Sequence, residues 1–297
     1  MEHSEAGIEE CLMKLEEIHK TIEIDLVNIP ELHDESSKNP RGERKRGFEK
    51  RIEPRVLAFH IQEQLKLGCI INRVVVHLTP EKQCTWFCES HENYGINKFI
   101  LVGGEKSTID YPGPSVITAN QLIRKTIKDS KLQVGNISIP SRINEAERMK
   151  NKVESGADFF TTQIIYHAEE FIQLLDELSI HNSLREENTI FLSLSPIRTI
   201  RSIKFLRWLG VTISNDLEEK LIEDPDLIEN KSLDHIGDIW ARICNHVKIT
   251  QSSFHVGINL CPIGAIPAST SVQLSEIFKK WGTQSTSHKK IKIINLY

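Results

Sequence analysis

Asn28, His77, Gln163 and Asn259 each stand at or near the end of a short apolar, β-branched run, and the same is true of Gly103-Gly104-Glu105, Ile139-Pro140-Ser141-Arg142 and Ser195-Pro196-Ile197-Arg198. Uncharged hydrogen-bonding groups beside glycines, with few titratable pairs, suit the binding of an organic cofactor better than hydrolysis. No Ser-His-Asp set and no G-x-S-x-G elbow is present. Gly103-Gly104 is a bare pair, and no G-x-x-x-x-G-K-S/T phosphate loop occurs.

Three further groupings could do chemistry. Glu145, Arg148 and Lys152 share one stripe of a helix whose other stripe is Ile143, Ala146, Met149 and Val153. Periodicity alone reads that stripe as a solvated face with an ion pair, although charges of both signs could also hold a polyol or a pyrophosphate. Gln163 is either a satisfied core amide or a ligand contact, and His77 either a core imidazole bonded to backbone or a ligand contact. Cys84, Cys88 and His91 fall on one helix face, but the spacing is not that of a zinc knuckle and no fourth ligand is evident, so no metal is expected.

The elements that must position these residues alternate. Strand-like runs at 21–29, 72–79, 97–104, 132–139, 157–165, 189–195 and 253–260 are separated by helical patterns at 54–67, 81–94, 114–130, 144–155, 168–180, 198–209, 231–248 and 270–281, after a helix at 4–20. Such alternation argues a parallel sheet with right-handed crossovers, and with no second domain boundary it fits one (β/α)8 barrel domain over 1–297. The irregular insert 33–53, with six basic residues between Arg41 and Arg51, follows a strand and so belongs on the face where barrel sites are built. It is either a solvated loop or a basic lid over an anionic ligand.

Composition sets outer limits. The chain has 297 residues, 39% hydrophobic and 26% charged, with a net charge of −4, which gives no basic field for a nucleic-acid backbone. No apolar run reaches about 18 residues and the acidic N-terminus lacks a signal pattern, so a cytoplasmic protein with no membrane partner is expected. The six cysteines should stay reduced, most of them as small core residues.

The order VVVHLT (74–79), GINKFILVGGE (95–105), KVESGADFFTTQ (152–163) and SFHVGIN (253–259) resembles the methylenetetrahydrofolate reductase family over roughly residues 5–265. The Lys-Val-x-x-Gly-Ala-x-x-x-x-Thr-Gln block is its most specific piece. The resemblance implies a flavin-dependent barrel of one-carbon and methionine metabolism that carries hydride from NADH or NADPH through FAD to 5,10-methylenetetrahydrofolate. It implies FAD contacts from Asn28, His77, Glu105, Ala119, Glu145 and Lys152, and a folate and nicotinamide contact from Gln163. It leaves open a non-catalytic flavin- or folate-binding partner subunit, a folate-linked methyltransferase and a homo-oligomer.

The chain also departs from the family. The family's first strand carries a glutamate that supports protonation of a folate nitrogen, and here helix 4–20 matches the element after it. Seven family strands remain. The strand-like C-terminal KKIKIINLY (289–297) would fill the vacant slot through a right-handed crossover, but it holds no carboxylate. Glu31 is the nearest candidate acid.

Overall fold

The computed structural model describes residues 5–22, 24–33, 38–39, 42–43, 51–104, 110–250, 254–263, 267–282 and 292–295. Eight parallel strands form a closed barrel: β1 (Leu26–Pro30), β2 (Gly68–Val74), β3 (Lys98–Val102), β4 (Gln133–Ser138), β5 (Phe159–Thr162), β6 (Thr189–Leu194), β7 (His255–Leu260) and β8 (Lys292–Asn295). Each strand pairs with its neighbours in sequence, and β8 closes the ring. It pairs with β1 at Leu26↔Ile293, Val27↔Ile294 and Asn28↔Asn295, and with β7 at Lys292↔Ile258, Ile293↔Asn259 and Ile294↔Leu260. The C-terminal segment therefore occupies the slot that the sequence left open, and neither β1 nor β7 keeps an unpaired edge.

Ten helices are described: α1 (Glu5–Thr21), α2 (Pro54–Leu65), α3 (Pro80–Tyr94), α4 (Val116–Thr126), α5 (Glu145–Glu154), α6 (Ala168–Ile180), α7 (Ile200–Trp208), α8 (Asn215–Ile222), α9 (Ile228–Thr250) and α10 (Ala268–Gly282). Local chemistry sets several of their starts. Glu53 accepts from Val56 N ahead of Pro54, Ser115 accepts from Thr118 N, and Ser214 accepts from Leu217 N. The main core lies between the helices and the outer face of the sheet, where Val27, Ile71, Phe99, Val134, Phe160 and Leu192 are buried. A second, smaller core joins α7 and α8 to the segment after β5 through Ile164, Tyr166, Ile203, Leu206 and Leu217. No described helix is long and apolar enough to cross a membrane.

Two boundaries and one element differ from the sequence reading. β1 begins at Leu26 rather than residue 21, because α1 runs on to Thr21, whose hydroxyl donates to Ile18 O. β2 spans Gly68–Val74 rather than 72–79, and Val75–His77 forms a single 3₁₀ turn. There Val75 O accepts from the Gln83 amide and Val76 O from Gly113 N, which takes both carbonyls out of a strand ladder. α8 was not foreseen, since eight residues give too short a stripe to stand out.

Deleting residues 288–297 removes β8 and exposes the edges of β1 and β7. We expect the truncated chain to lose its cooperative thermal transition or to aggregate; a soluble product with an unshifted Tm would contradict the closure seen here.

Candidate active site

Alternation along the strands sorts the side chains that face the bore. Ile70, Ile100, Phe159 and Phe191 pack there with Leu26, Val102 and Ile137, separate from the main core. A Cβ on Gly135 would collide with the Phe159 ring, so the glycine makes room for that ring. Two positions further along four of these strands, on the same face, stand Asn28 after Leu26, Asn72 after Ile70, Thr161 after Phe159 and Ser193 after Phe191. Asn259, in register with Ser193, donates to its hydroxyl at 2.9 Å. The bore thus has an apolar floor and a polar upper half toward the C-terminal ends of the strands. Asn28 is 1% exposed, and neither its amide nitrogen nor its oxygen has a partner among the described residues. The Oδ1 atoms of Asn72 and Asn259 are likewise buried and unpartnered. An unanswered buried amide costs roughly 1–3 kcal/mol, so this half of the bore calls for a polar occupant.

The tips of β1 and β2 hold a charged cluster. Arg73 donates to Glu31 Oε1, Val74 N donates to Glu31 Oε2 at 2.9 Å, and His33 Nε2 lies 3.4 Å from that oxygen. The guanidinium is only 5% exposed; it bonds Gln83 Oε1 at 3.1 Å and lies 4.2 Å over the Trp86 ring. Burial alone would raise the Glu31 carboxyl, but bonds from His33, Arg73 and Val74 outweigh it and hold the group below the ordinary carboxylate range. The sequence offers Glu31 as a candidate acid; the structure places its carboxylate against Arg73 and Val74 N, where it braces the two strand tips. The His33 and His77 rings lie 4.4 Å apart, and Tyr111 stands edge-on to His77 at 5.6 Å. His77 is exposed, and desolvation followed by the neighbouring His33 lowers its pKa. Tyr111 packs where a side chain on Gly104 would otherwise sit.

The tip of β4 is braced in a similar way. Glu145 is fully buried at the start of α5; it accepts from Ile139 N at 3.1 Å, and its carboxylate lies 3.7 Å from Lys152 Nζ. Lys152 Nζ donates to Ile137 O at 2.7 Å. Burial lowers the ammonium pKa while Glu145 opposes that shift. The stripe that periodicity reads as solvated is therefore folded in against β4, apart from the exposed Arg148.

Gln163 follows β5, and its amide donates to Leu209 O at 3.1 Å, tying the strand tip to the end of α7. The short antiparallel pair Lys38–Asn39 and Gly42–Glu43 lies against α7, so the segment after β1 reaches the part of the mouth above β6. Residues 34–37, 40–41 and 44–50 of the basic insert, and Glu105, lie outside the described residues. Ala119 is wholly buried in the main core, where its side chain meets protein. Among the described residues no group of three or more His, Cys, Asp or Glu is placed to hold a metal. Cys11 and Cys69 are core thiols pushed by burial up to about 11 and about 12.

Sequence reasoning passed over Asn72, Thr161, Ser193 and the Arg73–Glu31 pair. The first three were detectable as polar residues two positions after an apolar one in their strands, β2, β5 and β6. The pair joins residues far apart in sequence and had no local signal.

Residues 135–260 match the family model of methylenetetrahydrofolate reductase. A curated relative, methylenetetrahydrofolate reductase 2 of Schizosaccharomyces pombe, is 33% identical over 109 residues, which is 35% of this chain and 17% of that protein. The chain thus aligns with under a fifth of that relative's length. A solved structure described as an uncharacterized protein from Clostridium thermocellum that binds two copies of 5-methyl-5,6,7,8-tetrahydrofolic acid superposes with a TM-score of 0.73 at 22% identity, covering 93% of this chain and 90% of that one. The matched family is the one the sequence motifs resemble, and the shared fold is the barrel.

Glu31 contributes stability above its unfolded pKa, and that contribution is lost as pH falls through its lowered folded value. We expect Glu31→Gln to be about 3 kcal/mol less stable than the parent in urea at pH 7, where Arg73 is left buried without its counter-charge. The gap should narrow below the ordinary carboxylate range. A gap that is constant from pH 7 to pH 3 would exclude the pair as its cause.

Proposed function

We propose, for a chain whose residues 135–260 match the family model of methylenetetrahydrofolate reductase, that the barrel mouth binds FAD beside a folate and serves the reduction of 5,10-methylenetetrahydrofolate by NADH or NADPH. The observation that carries this reading is the polar upper bore with Asn28 at its centre, buried and with both amide atoms unanswered among the described residues. An amide that offers a donor and an acceptor side by side fits the alternating donor and acceptor edge of a flavin or pterin ring. The residues present therefore fit the flavin. When bound, the flavin supplies two-electron transfer between nicotinamide and folate.

The chain's own residues bind and orient. Asn28 would bond the ring edge, and His77, exposed beside Tyr111 and Gly104, would pack on or bond the ring system. Lys152 would place positive charge near the cofactor, with Glu145 fixing its position at the β4 tip. Gln163 would turn its amide to the folate from its bridge to α7. Glu105 is proposed on the family resemblance alone, and Ala119 only as a small core residue that lets α4 sit close to the sheet. Association with a second copy or a partner subunit belongs to the same proposal.

One observation favours a second reading. Glu31 is held ionised by Arg73, which removes the nearest carboxylate from acid duty and suits a protein that binds methyl-folate without turnover, as a subunit or beside a methyltransferase. The solved protein from Clostridium thermocellum binds 5-methyltetrahydrofolate.

An anaerobic absorbance titration separates the two. The reductase reading predicts a yellow protein that NADH or NADPH bleaches and methylenetetrahydrofolate recolours. A colourless protein that binds 5-methyltetrahydrofolate in calorimetry would transfer the assignment to the second reading. Asn28→Leu, nearly isosteric, should weaken FAD at least about tenfold, or ~1.4 kcal/mol, with an unchanged circular dichroism spectrum. Gln163→Ala should slow folate-dependent reoxidation while flavin stays bound.

A further inference from the structure

We infer that Gln83 on α3 is a positioning residue for the mouth: its one amide holds both the Arg73 guanidinium that anchors the β1 tip and the carbonyl of Val75, from which the chain turns to present His77. This role rests on the reductase reading above, in which His77 meets a bound ring system.

Gln83 cannot meet a ligand itself. The buried stripe of α3 is Gln83, Phe87 and Ser90, and Gln83 is wholly enclosed. An apolar side chain would satisfy that core position, whereas an amide placed there has to find a partner for each of its two polar atoms. Both partners belong to the end of β2 and the turn that follows it. Gln83 Nε2 donates to Val75 O at 2.7 Å, and Oε1 accepts from Arg73 Nε at 3.1 Å. One orientation of the amide does this, since a backbone carbonyl only accepts and a guanidinium only donates.

Each bond leads to a different part of the rim. Through Arg73 the amide reaches β1. The guanidinium also donates to Glu31 and lies 4.2 Å over the ring of Trp86, three residues on from Gln83 along α3, so its edge and its face are both held. Glu31 in turn accepts from Val74 N at 2.9 Å. Through Val75 the amide reaches His77. Val75–His77 form the 3₁₀ turn after β2, Val76 O accepts from Gly113 N at 2.8 Å, and the turn delivers an exposed His77 beside His33 and Tyr111. A Cβ on Gly113 would lie 2.4 Å from Val75 O, so the loop that carries Tyr111 presses against the same carbonyl that Gln83 holds. One buried amide therefore sets the β1 tip and the His77 turn together, which is how a group outside a site keeps the site's own residues in place.

Two variants separate the two bonds. Gln83→Met keeps the length of the side chain and loses both; Gln83→Glu keeps an acceptor for Arg73 and loses the donor to Val75 O. In flavin-free protein, NMR should show the His77 ring signals shifted in both variants, and hydrogen exchange at Arg73 Nε–H quickened in Gln83→Met alone. Gln83→Met should bind FAD about tenfold more weakly and alter the visible circular dichroism of the bound flavin, with a far-ultraviolet spectrum like that of the parent. Unmoved His77 signals in Gln83→Met, or an FAD affinity within about twofold of the parent, would overturn the inference and leave Gln83 a core amide. A Gln83→Glu chain that does not fold leaves Gln83→Met to decide. A parent protein that binds no FAD would overturn the reductase reading instead, and the His77 signals would still decide whether Gln83 places that ring.

Discussion

Closure of the sheet is the constraint on which the rest of the molecule depends. A parallel barrel positions a site only if each strand tip is held by two neighbours, and an open ring would leave backbone donors and acceptors unpaired on two edges. In this chain closure is achieved by two elements that are distant in sequence: β1 near the start and β8 at 292–295, which interact directly. The register places Asn28 opposite Asn295, so the closing contact is made at the residue on which the proposed ligand site is centred. Stability of the barrel and shape of the mouth are therefore one problem in this protein.

Two buried ion pairs shape the rim that closure creates. Arg73–Glu31 fixes the β1 and β2 tips, and Lys152–Glu145 fixes the β4 tip through the backbone at Ile137 and Ile139. Each pair is further satisfied by backbone or side-chain hydrogen bonds, the condition under which buried charge is tolerated. The consequence for chemistry is a division of labour. Among the described residues these four charged side chains are engaged with one another and with neighbouring groups, while Asn28, Asn72 and Asn259 have buried amide atoms with no protein partner. Such a mouth is built to orient a ligand.

Much of this was legible in the sequence, and for identifiable reasons. Strand–helix alternation with punctuated runs gave the barrel, and the strand-like KKIKIINLY after a helical pattern gave the eighth strand, because a right-handed crossover leaves one place for it. His77, Gln163 and Asn28 were visible as polar residues at run ends. The limits were set by contacts distant in sequence. Nothing near residue 31 announces Arg73, so the partner of this carboxylate could not be read from the sequence. The Glu145, Arg148 and Lys152 stripe has the periodicity of a solvated face, and only the fold turns two of its charges inward. The bore residues Asn72, Thr161 and Ser193 become conspicuous once register places them on one surface.

The central claim is that the polar upper bore is completed by the ring of a bound flavin. A high-resolution crystal structure of the protein grown with FAD tests it most directly. The account predicts the pyrimidine edge of the ring within hydrogen-bond distance of the Asn28 amide, with His77 against the ring system. Asn28 satisfied by ordered water alone, with the flavin bound elsewhere or not at all, would contradict it.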